Sequence, residues 1–187
     1  MAWRFKNGRM KTSPALLLAC ALVIPSFTRA ATTNVAPPSA SNQMTQVALT
    51  LPASAAAVSA PLILTNGVIS QPESTELPAG GKAVFNFTVT NAGNYVIQVL
   101  VNAPGEDSNS FYVNVDAQPE DPAMIWDIDV TNGFEQRTVS WRGKGEVDSD
   151  EFVPKRFNLS AGAHKLIIIG REQSAELKSI SLRPAAN

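Results

Sequence analysis

The sequence predicts an all-β fold, a single antiparallel β-sandwich. Three observations predict it. From Gly80 to Leu182 apolar and polar residues alternate in short runs, which places successive side chains on opposite faces of a strand. The runs recur about every 8–12 residues between Gly, Pro, Asn and Asp, the spacing of a sandwich or barrel. No stretch of this block carries the apolar stripe of an amphipathic helix.

Taken in order, Leu62 to Leu64 and Val68-Ile69 form a first hairpin about Asn66-Gly67, a pair suited to the tight turn. Val84, Phe85, Phe87 and Val89 make the next strand, ended by Asn91-Ala92-Gly93. Tyr95, Ile97, Val99 and Val101 share one face of another, which Pro104-Gly105 breaks. Phe111, Val113 and Val115 face one way, and Tyr112 and Asn114 the other. Met124 to Ile128 and Arg137 to Trp141 are shorter runs. Between Phe152 and Leu159, Pro154 forces an edge strand or a late start. His164 to Ile169 is nearly all apolar and belongs at the centre of a sheet. Leu177, Ile180 and Leu182 close the chain. Phe85, Phe87, Tyr95, Phe111, Trp141, Phe157 and Ile167 to Ile169 are the expected core.

The N-terminal region differs. Arg4, Lys6, Arg9 and Lys11 precede the apolar stretch Ala15 to Ile24, and Thr28-Arg29-Ala30-Ala31 follows with small residues. This tripartite pattern predicts a signal peptide over residues 1–30 and an exported product: periplasmic, extracellular or at the cell surface. The apolar stretch is short of the roughly 20 residues that span a bilayer. Leu17-Leu18-Ala19-Cys20 also resembles a lipoprotein cleavage box, with an ordinary small residue of the apolar stretch as the alternative for Cys20. Residues 31–60 are rich in Ala, Ser, Thr, Pro, Asn and Gln and read as a flexible linker, with one short alternation from Val47 to Leu51 as a transient strand. The sandwich is then expected over 61–184.

The chain has 15 Lys+Arg and 16 Asp+Glu. Five of the basic residues and no acidic ones precede Ala31, which leaves 10 basic against 16 acidic and a net charge of −6. Such a domain has no attraction for phosphate backbones, so nucleic acid is excluded as a partner. Cys20 is the sole cysteine, so no disulfide staples the domain.

Chemistry-bearing residues are sparse. His164 is the only histidine and begins a strand after Ala161-Gly162-Ala163, where a packed or hydrogen-bonded structural role is expected rather than a triad. Glu146, Asp148, Asp150 and Glu151 form an acidic run in a Gly-Lys-Gly loop, where solvated charge is expected. Its spacing does not match an EF-hand. No catalytic constellation is apparent, so an enzyme is not expected. Aromatic side chains beside planar polar groups are the better lead, because sugar C–H faces stack on rings and adjacent hydroxyls bridge planar polar groups. Trp126 beside Asp127, and Trp141 beside Arg142, are two such places, each with core packing as the alternative. Tyr112 is a third candidate platform.

Gly93-Asn94-Tyr95-Val96-Ile97, Asn109-Ser110-Phe111-Tyr112-Val113-Asn114-Val115-Asp116, Leu159-Ser160-Ala161-Gly162-Ala163-His164-Lys165-Leu166, Gly170-Arg171-Glu172 and Ala175-Glu176-Leu177 occur in this order. Together they resemble the non-catalytic carbohydrate-binding modules of the galactose-binding-like, jelly-roll class, over about residues 62–183. The resemblance implies a glycan or polysaccharide ligand on loops at one end of the sandwich or on its concave face. It also implies a structural calcium near the first and last strands. Here Leu177-Lys178-Ser179-Ile180 carries a lysine where the class carries an aspartate, and Glu73 and Glu76 are the only nearby acidic candidates, so that calcium is in doubt and no cofactor is expected. Phe134 and Trp141 match the aromatic pair of such clefts only approximately.

The expected contacts are Asn109, Trp126, Asp127, Trp141, Arg142, Arg171 and Glu172, with the loop from Glu106 to Asn109 as a wall. The expected partner is a carbohydrate or polysaccharide, bound by a monomer in a cell-surface or polysaccharide-degrading assembly. An adhesion module that binds protein is the alternative, distinguished by exposed apolar patches without a polar cleft.

Overall fold

The computed structural model describes residues 49–143 and 151–186. The expected signal peptide, most of the linker, and Glu146, Asp148 and Asp150 lie outside the described residues. In chain order the strands are β1 (Leu49–Pro52), β2 (Ala57–Val58), β3 (Ile63–Thr65), β4 (Val68–Ser70), β5 (Lys82–Val89), β6 (Gly93–Asn102), β7 (Ser110–Val115), β8 (Ile125–Asp127), β9 (Glu135–Thr138), β10 (Phe157–Leu159), β11 (Gly162–Gly170) and β12 (Glu176–Pro184).

They form two antiparallel sheets. The first has seven strands in the order β10-β6-β12-β4-β3, with β1 also paired to β12 and β9 to β6. The second has five, in the order β2-β5-β11-β7-β8. This is the predicted all-β sandwich. The apolar run of β11 lies centrally, paired with β5 on one edge and β7 on the other. β10 starts late, beyond Pro154. The Asn66-Gly67 hairpin forms with φ of 52° and 76°, a left-handed pair that glycine accepts without cost.

The alternation fixes which side chains fill the space between the sheets. Phe85 and Phe87 of β5, Ile97, Val99 and Val101 of β6, and Leu166 and Ile168 of β11 are buried there. The other face of β11 is also covered: Ile167 and Ile169 pack with Tyr112, Ile125 and Leu77 in a separate cluster. That second burial explains why β11 reads as a continuous apolar run rather than an alternating one.

Two expectations require correction here. The linker does not extend to residue 60, because β1 and β2 belong to the sandwich. Leu49 lies opposite Leu182 and Leu51 opposite Ile180, while Ala57 lies opposite Val84. This segment holds too few apolar residues to order itself, and ladder pairing to strands far along the chain supplies what it lacks. The second correction concerns the tryptophans. Trp126 is 1% exposed and belongs to the core, whereas Trp141 packs partly buried against it.

Candidate functional site

Five of the seven expected contacts converge at the end of the second sheet where β7 begins and β11 finishes. Ser110 opposes Asp127 across β7 and β8, and Gly170 opposes Phe111 across β11 and β7. Asp127 and Asn109 on one side, and Arg171 and Glu172 on the other, therefore meet although they are far apart in sequence. Arg142 joins them on a segment that runs beside β8: its backbone N–H donates to Ile125 O at 2.8 Å, and that of Gly143 to Ala123 O at 2.9 Å.

These side chains lock together. Arg142 Nε and Nη2 donate to the two Asp127 oxygens at 2.8 and 2.6 Å, a bidentate pair with geometry that lysine cannot supply. Hydrogen bonding to Asp127 holds the Arg142 guanidinium above its ordinary pKa, against the partial burial that lowers it. Arg171 Nη1 donates to Glu172 Oε1 and to Ser110 Oγ. Glu172 Oε2 in turn accepts the Asn109 backbone N–H at 2.9 Å. The two pairs form a ridge.

A cleft lies on each side of the ridge, and Arg142, Arg171 and Glu172 line both. The larger, of about 730 Å³, has walls from Ser74 to Glu76, Asp107 and Asp121, and a floor of Tyr112 and Ile125. Burial and the nearby Asp121 push the Tyr112 phenol up, while Arg171 opposes them. The smaller, of about 390 Å³, is bounded by Glu106, Asn109, Asp129, Val130 and Phe152. Of the loop expected as a wall, Glu106 and Asn109 line this cleft and Asp107 lines the larger one.

Phe152, which the sequence reading did not single out, also lines the smaller cleft. It is 57% exposed, with Val153 at 60% and Val130 at 44%. The sequence places it at the head of the run that Pro154 breaks, but the strand forms only from Phe157, which leaves Phe152 in an irregular segment.

Neither Trp126 nor Trp141 lines either cleft. Trp126 lies inside, its ring centroid 6.4 Å from that of Phe111. Along β8 Trp126 points between the sheets, while its neighbour Ile125 joins the second cluster on the opposite face. Trp141 has its Nε1 donating to Val113 O at 2.8 Å, Phe157 edge-on at 5.9 Å, and the Lys155 ammonium 3.8 Å from its ring centroid. The ring is thereby occupied on its nitrogen, one edge and one face.

The loop from Gln71 to Thr75 is held against the turn from Arg171 to Ala175. Thr75 N–H donates to Arg171 O at 2.7 Å, and Ser174 N–H to Gln71 O at 2.8 Å. The buried Gln71 side chain packs so tightly on Gly170 that a Cβ there would come within 2.1 Å of Gln71 Oε1. Gly170 is therefore what lets this wall of the larger cleft close on β11.

The calcium of the resembled class does not fit the residues present. Lys178 is exposed, its ammonium 5.5 Å from the Phe134 ring centroid. Among the described residues, no three acidic, histidine or cysteine side chains group as a metal would need.

No protein-family model matches the chain, and no curated protein matches it. Solved structures do. A family 35 carbohydrate-binding module from Clostridium thermocellum matches with a TM-score of 0.54 at 10% identity, covering 75% of this chain and 100% of that one. A family 35 module from Paenibacillus barcinonensis matches with a TM-score of 0.51 at 9% identity, covering 73% and 99%. The Podospora anserina GH26-CBM35 β-(1,4)-mannanase matches with a TM-score of 0.53 at 13% identity, covering 75% of this chain. This chain spans 28% of that enzyme's length. The fold is that of carbohydrate-binding modules.

Proposed function

We propose that this protein is an exported, non-catalytic module that binds glycan in the clefts flanking the Asp127–Arg142 and Arg171–Glu172 ridge. The observation that carries this function is Phe152. An exposed aromatic ring shares one cleft with Asn109, Asp127 and Arg142, a hydrophobic platform beside planar hydrogen-bonding groups. That combination suits a sugar ring, whose C–H face stacks while its hydroxyls bridge the polar atoms.

Each guanidinium keeps N–H donors beyond those used in its ion pair, because arginine has five. Those donors, with the remaining lone pairs of Asp127 and Glu172, can serve vicinal hydroxyls. The ion pairs hold these groups in place before the ligand arrives, which limits the ordering cost of binding. The structural neighbours, two of them isolated carbohydrate-binding modules, support the same function. The absence of a reaction is supported by His164, whose ring nitrogens are engaged by Asp116 and the Ser160 carbonyl. Export rests on the N-terminal pattern alone, and work as a monomer within a cell-surface or polysaccharide-degrading assembly is part of the same proposal.

The apolar patch of Phe152, Val153 and Val130 also suits a protein partner, the adhesion alternative. The polar cleft directly beside it favours sugar. Titration calorimetry against a panel of soluble polysaccharides tests this. Saturable binding that Phe152→Ala weakens is expected, and no binding across the panel, with or without calcium, overturns it.

A further inference from the structure

We infer that the site takes uncharged glycans and rejects uronate- or sulfate-bearing ones, and that Asp127 and Glu172 are the residues that set this specificity. The inference rests on the glycan-binding function proposed above and names its ligand class.

An acidic sugar is ordinarily taken by a free arginine or lysine, through charge-assisted hydrogen bonds. The ridge holds two arginines, and neither charge is free. Asp127 meets Arg142 through two bonds, with the carboxylate side chain only 8% exposed. Glu172 meets Arg171 with 19% exposure, and its second oxygen is tied to the Asn109 backbone. A uronate that reached the leftover N–H groups would meet an arginine whose charge a neighbouring carboxylate already offsets, and would bring its own negative charge against that carboxylate.

The rims add to the discrimination. Glu76, Asp107 and Asp121 stand around the larger cleft, and Glu106 and Asp129 around the smaller. The ion pairs among the described residues are Arg137–Glu135, Arg142–Asp127, His164–Asp116 and Arg171–Glu172, so none involves these rim carboxylates. An approaching polyanion therefore meets repulsion before it reaches the ridge. A neutral sugar meets neither obstacle: its hydroxyls use the N–H groups and lone pairs that the ion pairs leave over.

The test compares a neutral polysaccharide, such as an unsubstituted mannan or glucan, with polygalacturonate and a sulfated glycan. Titrations of the full mature chain are run in chelator at about 0.01 M and about 1 M salt, where the screening length falls from about 30 Å to about 3 Å. Neutral binding should change little with salt. Acidic binding should be at least about tenfold weaker at low salt, with the gap narrowing at high salt. Asp127→Asn and Glu172→Gln each release a guanidinium and should raise acidic binding at least about tenfold. Asp107→Asn with Asp121→Asn, on the exposed rim and away from the ridge, should narrow the gap even if the ridge variants fail to fold. Acidic glycan bound by the native chain as tightly as neutral glycan at low salt overturns the inference and leaves glycan binding standing. Binding of neither class overturns both.

Discussion

The two ends of the second sheet each carry an ion pair and a hollow, yet they do different things. At one end β7 finishes and β11 begins. There Asp116, in the left-handed region with φ 62°, accepts from His164 Nδ1 at 2.6 Å and from the Lys165 backbone N–H at 2.8 Å. The other imidazole nitrogen meets Ser160 O at 2.9 Å, and the ring stacks on Phe87 with centroids 5.6 Å apart. The polar atoms of this pair are spent on joining a turn to a strand. At the opposite end the ion pairs join loops and leave donors facing two clefts beside an exposed phenylalanine. The surroundings of the His164–Asp116 pair use up its hydrogen bonds, whereas those of the ridge pairs do not, and the spare donors are what suit the ridge to the proposed glycan binding.

The largest expected effect separates the core from the site. Trp126→Ala should destabilise the fold by about 3–5 kcal/mol in denaturant unfolding, the cost of removing a buried aromatic. A change below about 1 kcal/mol would place Trp126 outside the core and restore it as a site residue. Next is Gly170→Ala. Its methyl group must push aside Gln71 and the wall from Gln71 to Thr75, so about 1–3 kcal/mol of stability should be lost along with glycan affinity. Native stability and affinity would mean that this wall does not define the cleft.

Phe152→Ala should sharpen the contrast. Its ring is largely in water, so unfolding should move by less than about 0.5 kcal/mol. Glycan affinity should fall roughly tenfold, about 1.4 kcal/mol. Equal losses of both would make Phe152 a structural residue.

The smallest effect belongs to the clasp. Hydrogen bonds to Asp116 and to the Ser160 carbonyl raise the pKa of His164. Burial opposes ionisation of Asp116, but His164 and the Lys165 N–H outweigh it and lower its pKa. A histidine with a raised folded pKa stabilises fully below its unfolded value, near 6.5, and loses that contribution as pH rises through the folded one. The carboxylate contributes above its unfolded value, near 3.8, and ceases to as pH falls through its folded one. Stability should therefore decline from about pH 6 towards pH 8 by less than about 1 kcal/mol, since Asp116 is half exposed. The decline should be absent in His164→Gln, and glycan affinity should not follow it. Affinity that tracks the same titration would join the two ends into one functional unit.

The sequence by itself determined the layer architecture, because alternation and turn residues are local. A strand must put successive side chains on opposite faces, and Gly, Pro, Asn and Asp mark where it stops. It also marked five residues that meet at the ridge, Asn109, Asp127, Arg142, Arg171 and Glu172, since polar groups at strand ends have few other places to be. What it could not decide was how nearby residues divide between inside and outside. Trp126 and Asp127 are adjacent, and only the pairing of β8 with β7 sends the ring inward and the carboxylate to Arg142. β1 lacks the apolar content to order itself, and only its ladder with β12 makes it a strand. Phe152 heads the run to Leu159 in the sequence, but β10 starts only at Phe157, so the exposure of Phe152 depends on what surrounds it in space. These outcomes rest on contacts between distant segments, and such contacts exist only once the two sheets have packed.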